Sequence, residues 1–471
     1  MSLHTHAFWI SVLFLIGVLS ASITPHFIFI IISVFIVGLY CVAIKKYRMA
    51  LLMTVIIGGA GYTFSFNAIK TAETKIPFET NTFFEGVVVN IDQYTSRQNI
   101  NLKLKAPYYG VVRISTQRYP SFAYGDLLEV QGTIQKPDPE ITGRLLKDGI
   151  RGIVQNPKIT VSETNQGNPI KALLFSFKNN MVHIFERTLP SESAALVSGM
   201  TLGERGNFSK ELTEQMSLSG TTHIVALSGY NISVVAWVIA SFIGVYLSRR
   251  LTFGITIVCI IGFVVMAGAE ASVVRAAVMG GIVLLGRYLE RSHSMRNAIA
   301  ISALVMVLYN PHILVFDIGF QLSFAALIGM IYVRPVLAYF LKITESGLFS
   351  WKDNLVTTLA AQLAVAPLLL GSFGIFSISS FIANILILES VPLTMGLGFV
   401  MGFVGFISEF CARIIGFLVT ILTSYQLFII EIFSKINIPI IVDSFDIFAS
   451  AIYYSAFGGL LYWYYHYAKK K

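Results

Sequence analysis

Residues 218–242 read LSGTTHIVALSGYNISVVAWVIASF. The run is apolar enough and long enough to cross a bilayer, yet His223 stands near its start and Ser228, Gly229, Tyr230 and Asn231 cluster inside it. Polar groups in hydrocarbon are costly, and they usually face a cavity, a partner or a substrate path. This stretch therefore sets both the solvent of the fold and the place to look for its function.

The whole chain agrees about the solvent. Of 471 residues, 55% are hydrophobic and 13% charged, and the mean hydropathy is +0.72. A soluble chain carries roughly 25% charged residues. The net charge of +9 is first the mark of Lys and Arg in cytoplasmic loops, and only second a hint of nucleic acid. Cys41, Cys259 and Cys411 lie far apart in apolar runs and form neither a disulfide framework nor a zinc set. His4-Thr5-His6 alone is a poor ligand set, so no metal and no cofactor is expected. No GxxxxGK[ST] loop is present, so anything that moves through the protein is driven from elsewhere.

Helical spans of roughly 20 apolar residues are expected at 7–23, 27–44 and 50–66, which makes residues 1–67 an N-terminal transmembrane segment with a retained first span. Lys45, Lys46 and Arg48 place the second loop, and the N-terminus, in the cytoplasm. Residues 77–161 are then extracytoplasmic. Short alternating runs there (FFEGVVVNI, NINLKLKA, GVVRIST, GDLLEVQGTI, GIRGIVQNPKITV) predict five strands, with a small helix at ITGRLLKDG. An OB-type barrel is the expected form, and a two-sheet sandwich stays open. Residues 168–222 read as amphipathic helices at the membrane surface, capped by Ser191 and Ser209. From 223 to 471 spans are expected near 223–247, 252–268, 272–289, 297–309, 316–333, 355–371, 381–409, 414–433 and 446–467. The predicted fold is a polytopic α-helical membrane protein of about twelve spans with an inserted small all-β domain and both termini cytoplasmic.

Five membrane segments carry polar groups. Besides His223, Ser228, Tyr230 and Asn231 there are Glu270, Ser272 and Arg275; Asp317, Gln321 and Ser323; Gln362 before Pro367; and Asn384, followed by Glu389 and Pro392. Interrupted spans with polar residues point to a permeation or binding path. The structural alternative is interhelical hydrogen bonding and ion pairs such as Glu270 with Arg275. Most of these groups are neutral donors or donor–acceptors, which suits a sliding polyanion; the acids are expected to pair with Arg275 or with helix N-termini. His223 and Ser228 are five apart, too far around a regular helix for a nucleophile–base pair.

In the β domain the surplus of Lys and Arg over acids is only about two. Between Gln93 and Gly125, however, Arg97, Lys103, Lys105, Arg113 and Arg118 occur without an acid and alternate with Tyr94, Tyr108, Tyr109 and Tyr119. Cations that track phosphates beside aromatic faces that stack bases are the pattern of single-strand binding. The alternative is a solvated β face.

The motifs also carry a family resemblance. GTTHIVALSGYNISVV (220–235), SVVRAAVM (272–279), LVFDIGFQLSFAALIG (314–329) and PLLLGSFGIFSISSFIANILILESVPL (367–393) resemble, in order, the blocks of ComEC, the competence-associated inner-membrane channel for DNA uptake. The likeness extends over about 80–470. It implies passage of single-stranded DNA into the cytoplasm, with the external domain handling the strand and no catalysis by this chain. His223, Ser228 and Gly229 match the signature, whereas Tyr230 and Asn231 stand where Leu and His are commoner. Ser272, Arg275, Asp317, Gln321, Ser323 and Asn384 match too. Many members end in a metallo-β-lactamase-like domain, and none follows WYYHYAKKK here, so the resemblance implies a separate nuclease, together with a DNA receptor and a cytoplasmic helicase. The competing readings are a secondary transporter or anion exporter on the same polar cluster, and an intramembrane hydrolase built on His223 and Ser228.

Overall fold

The computed structural model describes residues 3–23, 34, 47–93, 96–204, 206, 208–225, 229, 232, 244–288, 295–341, 351–377, 379–436, 439–441 and 446–467. They form two compact units, residues 1–178 with 228–317 and residues 179–227 with 318–471.

The first unit opens with apolar helices α1 (Leu3–Ile23) and α2 (Tyr47–Ala72). Hydrocarbon supplies no hydrophobic drive between helices, so close backbone approach through small residues has to hold them. A methyl group on Gly17 would strike the Ile56 carbonyl, and one on Gly59 the Phe14 carbonyl. Past α2 the apolar period changes from helical to twofold and a sheet follows.

That sheet contains β1 (Asn81–Gln93), β2 (Arg97–Leu104), β3 (Val111–Gln117), β4 (Leu127–Thr133), then helix α3 (Pro139–Leu146), β5 (Ile150–Gln155) and β6 (Lys158–Glu163). Its order is β5-β3-β2-β1-β4-β6, all neighbours antiparallel except the parallel pair β3 and β5. An antiparallel bridge from Gln135 to Ile153 brings the end of β4 to β5 and closes the circuit. Ile100, Leu102, Val112, Ile114, Leu128, Ile134 and Val154 fill its interior, as strand alternation requires. The last predicted run, GIRGIVQNPKITV, is two strands and not one: the chain turns at Asn156, with φ 44°, and β6 pairs with the outer edge of β4.

Helix α4 (Pro169–Thr188) leads into the second unit, where α5 (Ser191–Leu202) and α6 (Lys210–Leu218) follow. Ser209 caps α6, its oxygen accepting the Leu212 N–H at 3.0 Å. Ser191 does not cap α5; Pro190 holds that position. Nor does α5 lie at a surface, because every residue from Ser193 to Leu202 is buried. Its small and apolar residues present no polar face to water.

The first unit resumes with α7 (Arg249–Met266), α8 (Ala271–Tyr288), α9 (Met295–Tyr309) and the short α10 (Ile313–Phe316). The second continues with α11 (Ile318–Ile328), a π turn (Gly329–Val333), α12 (Arg334–Phe340), α13 (Trp351–Phe373), β7 (Ile375–Ser377), α14 (Ser379–Leu388), α15 (Val391–Gly405), α16 (Glu409–Lys435), β8 (Pro439–Ile441) and α17 (Ile447–Tyr467).

Six helices among the described residues are long and apolar enough to cross a membrane, or seven if α14 and α15, bent by 49°, count as one span. About twelve were expected. Most of 27–44 and of 223–247 lies outside the described residues, α8 and α9 supply only shorter apolar stretches, and α17, at the expected 446–467, is not among the six. The overlong 381–409 is the bent pair, broken at Glu389 and Ser390 ahead of Pro392, which sits in the first turn of α15.

Irregular backbone inside an apolar bundle has to find partners. Pro367 sits within α13 and cannot donate to the carbonyl four residues back. That carbonyl belongs to Leu363, and the Tyr453 hydroxyl donates to it at 2.8 Å, with Tyr454 donating to Ala364 at 2.9 Å. In the π turn, the Tyr332 carbonyl accepts from the Tyr465 hydroxyl at 3.3 Å. All three donors lie on α17, which thus seals the two irregular points. Replacing Tyr453 by Phe should lower the unfolding free energy by about 1 kcal/mol. Thermal unfolding in detergent checks this, with exposed Tyr462→Phe on the same helix as the silent control.

Candidate nucleic-acid interface and polar sites

Gln98, Ile100, Leu102 and Leu104 point into the sheet's interior, so Arg97, Asn99, Asn101 and Lys103 of β2 point out. Register places Asn101 opposite Arg113 and Asn99 opposite Ser115 on β3, and opposite Asn90 and Asp92 on β1. Arg113 is thereby enclosed. Its Nε donates to Asn101 Oδ1 at 3.0 Å, and its Nη2 lies 3.5 Å from Asp148 and 3.9 Å from Asp92. Burial pushes the Asp92 carboxyl above its ordinary range; Arg113 opposes that and Asp148 adds to it.

The remaining cations separate into two groups. At one end of the β2–β3 hairpin stand Arg97 and Arg118, beside the 74% exposed ring of Tyr119. At the other stand Lys103, Lys105 and Tyr109, all exposed, while Tyr108 packs against the core. Eight strand residues put roughly 23 Å between the ends. The Tyr109 end abuts the exit of α2, because Tyr109 and Lys75 exchange two backbone hydrogen bonds at 2.9 Å. Tyr94 lies outside the described residues.

Among the membrane residues of this unit, Gly229 packs near Ala276 of α8, and Ser228, Tyr230 and Asn231 lie outside the described residues. Glu270 stands at the start of α8, its carbonyl accepting the Val273 and Val274 N–H groups, which places the acid at a helix N-terminus. Ser272 and Arg275, three residues apart on the first turns of α8, share a face and are half-buried.

Asp317 is held from the β domain. Its carboxylate lies 3.3 Å from Lys147 Nζ, with side-chain exposures of 16% and 27%. Burial alone would lower the Lys147 pKa, but the carboxylates of Asp317 and Asp148 hold it above its ordinary value. Beside this pair, Asn310 Nδ2 donates to the Lys147 carbonyl at 2.8 Å and its Oδ1 accepts the His312 N–H at 3.0 Å. His312 Nε2 in turn lies 2.8 Å from Asn67 Oδ1 on α2. None of this junction was visible in the sequence, where 170 residues separate Lys147 from Asp317; the only signal was the Asn310-Pro311 break.

In the second unit, Gly220 adopts φ +68° and packs directly on Ser380 of α14, and the flanking Ser219 and Thr221 hydroxyls lie 2.8 Å apart, both buried. Gln362 Nε2 of α13 donates to Ser380 Oγ at 3.4 Å. Asn384, one turn beyond Ser380, is 2% exposed. Gln362 Oε1 and Asn384 Oδ1 are buried without a hydrogen-bond partner among the described residues. His223 is exposed on a 3-10 turn (Thr222–Ile224), and Gln321 and Ser323 are half-buried on α11. A second polar network was missed: buried Gln426 of α16 donates to Ser390 at 2.9 Å and to Thr394 at 2.8 Å, and Thr423 donates to Ser193 at 2.8 Å. Its sequence signal is Thr, Ser and Gln spaced one helical turn apart on α15 and α16.

Residues 200–466 match the model of the competence protein family. The chain belongs to that family. Among curated relatives of the competence protein, ComE operon protein 3 of Bacillus subtilis (strain 168) is 27% identical over 228 residues, which cover 48% of this chain and 28% of that protein. The match therefore spans little more than a quarter of the relative's length. No solved structure matches the chain.

Burial, and secondarily the Arg151 guanidinium, hold His312 below its ordinary pKa in the loop after α9. The neutral ring is the folded form, so its contribution to stability is complete above the unfolded histidine's value of about 6.5 and is lost as the pH falls through the lower folded value. Melting temperature should fall on acidification below pH about 6.5, and His312→Gln should flatten that slope.

Proposed function

We propose that this competence protein is the membrane conduit of a DNA-uptake system. It sits in the cytoplasmic membrane, its β domain lies outside the cell and both termini lie in the cytoplasm. About twelve spans then cross the bilayer. The strand circuit β1-β2-β3-β5-β4-β1 is read as an OB-type barrel that receives single-stranded DNA. The chain passes the strand inward and performs no chemistry on it. A nuclease supplies the single strand, a DNA receptor delivers it and a cytoplasmic helicase draws it in.

The observation that carries this reading is the family match across the membrane segments, residues 200–466. The β face refines it. Arg97, Arg118 and Tyr119 offer one contact, Lys103, Lys105 and Tyr109 another, and a strand laid between them runs toward the exit of α2. Arg113, committed to Asp148 and Asp92, is a support of the face and not a phosphate contact.

One observation favours a secondary transporter instead. Ser380, Asn384 and Gln362 form a compact polar cluster, with Asn384 sealed from solvent. A midplane solute site has that form, and proton- or sodium-coupled uptake into vesicles without DNA would support it.

The test uses the full-length chain in lipid nanodiscs with a fluorescent oligonucleotide. Arg97→Gln with Arg118→Gln, and separately Lys103→Gln with Lys105→Gln, should each weaken binding and reduce the salt slope by about 0.7 per cation removed. Arg113→Gln should leave that slope unchanged. Wild-type affinity in both double variants would defeat the assignment of the face, and failure to restore uptake in a competence-null strain would defeat the function.

A further inference from the structure

The β domain meets the helices of its own unit at two places, and neither is built like a hinge. Hinges are a few loop or element-terminal residues that absorb large backbone changes. Here the first contact lies at the corner between α9 and α10. Lys147 pairs with Asp317, Asn310 holds the last carbonyls of α3, and the Phe316 ring lies so close on Gly143 that a methyl group there would overlap it. Alongside, Arg151 Nη1 of β5 donates to Thr71 of α2 at 3.1 Å.

The second contact grows from the bulge in β1 between Val88 and Asn90. A bulge leaves a residue outside the ladder, and the Val89 carbonyl accepts from Lys171 Nζ of α4 at 3.1 Å. The same ammonium lies over the Tyr124 and Phe175 rings, 4.8 and 5.2 Å from their centroids. Both connecting segments are pinned as well. Lys75 is paired to Tyr109, the Glu79 N–H donates to Ile134 and the Gln166 N–H donates to Gly125.

We propose that the β domain is a fixed mount, docked on the α9–α10 corner throughout the working cycle. Lys147, Asn310 and Asp317 are positioning residues that aim it; they do not touch the transported material. Asp317 is thereby reassigned from the transport path to the dock. The uptake arm of the test rests on the DNA-uptake reading, while the docking arm does not.

In a chain with Cys41, Cys259 and Cys411 changed to Ser, Gly143→Cys is combined with Phe316→Cys, whose close approach suits the Cβ separation of roughly 3.5–4.5 Å that a disulfide needs. In membranes under mild oxidant the cross-link should form in most molecules, to the same extent with and without single-stranded DNA, and the oxidised protein should take up DNA as well as the reduced one. Absence of the cross-link overturns the mount. So does a cross-linked protein that loses uptake and recovers it on reduction. Where the cysteine pair itself impairs folding, the charge exchange decides: Lys147→Asp and Asp317→Lys should each lower the melting temperature and together restore it, and single variants as stable as the parent overturn the proposal. Cross-linking in a parent chain that takes up no DNA would remove the DNA reading and leave the mount intact.

Discussion

A peptide carbonyl surrounded by hydrocarbon has no water to accept from, and this constraint explains more of the competence protein's membrane architecture than any single contact. The carbonyls of Leu363 and Ala364, beside Pro367, and of Tyr332, in the π turn, all receive tyrosine hydroxyls from α17. Composition assigned α17 to the membrane for its apolar character, but its tyrosines have the more specific task. They allow α13 to carry a proline, and the Ile318–Phe340 span to carry an extra residue in one turn, without exposing the backbone.

The same constraint sorts the polar side chains. Gln426 donates to Ser390 and Thr394, and Thr423 donates to Ser193, so these side chains act as interhelical adhesive. Gln362, Asn384 and Gln426 each retain a buried side-chain carbonyl oxygen without a hydrogen-bond partner among the described residues. Sequence reading treated both groups alike or overlooked the first, since spacing along one helix does not reveal which neighbour stands opposite. Alternation was the more dependable guide. In the β domain the period of two located the five runs that carry strands, because a strand's inside and outside follow from parity alone. It failed at Asn156, where a turn joins two short runs that alternate as though continuous. The surface reading failed for α5, which packs inside the bundle from Ser193 to Leu202.

Charges were the least legible part, and for one reason: their partners are distant in sequence. A scan of residues 93–125 finds cations and no acids. Folding then brings Asp92 and Asp148 to Arg113, the central cation of the face, and leaves Arg97, Lys103 and Lys105 at its two ends exposed. Asp317 obeys the same rule. Its polar neighbours on α11 suggested a path, whereas its carboxylate is taken up by Lys147 of the β domain.

That reasoning extends to the stretch LSGTTHIVALSGYN itself. Its first half is packing: Gly220 supplies a left-handed turn against Ser380, and Ser219 and Thr221 satisfy each other in the interior. A larger residue at 220 would be strained by its backbone and blocked by α14, so the turn needs glycine for reasons unrelated to cargo. His223, directly after the turn, is exposed. The signature therefore opens on a buried anchor against α14, and the turn that precedes His223 is set by packing.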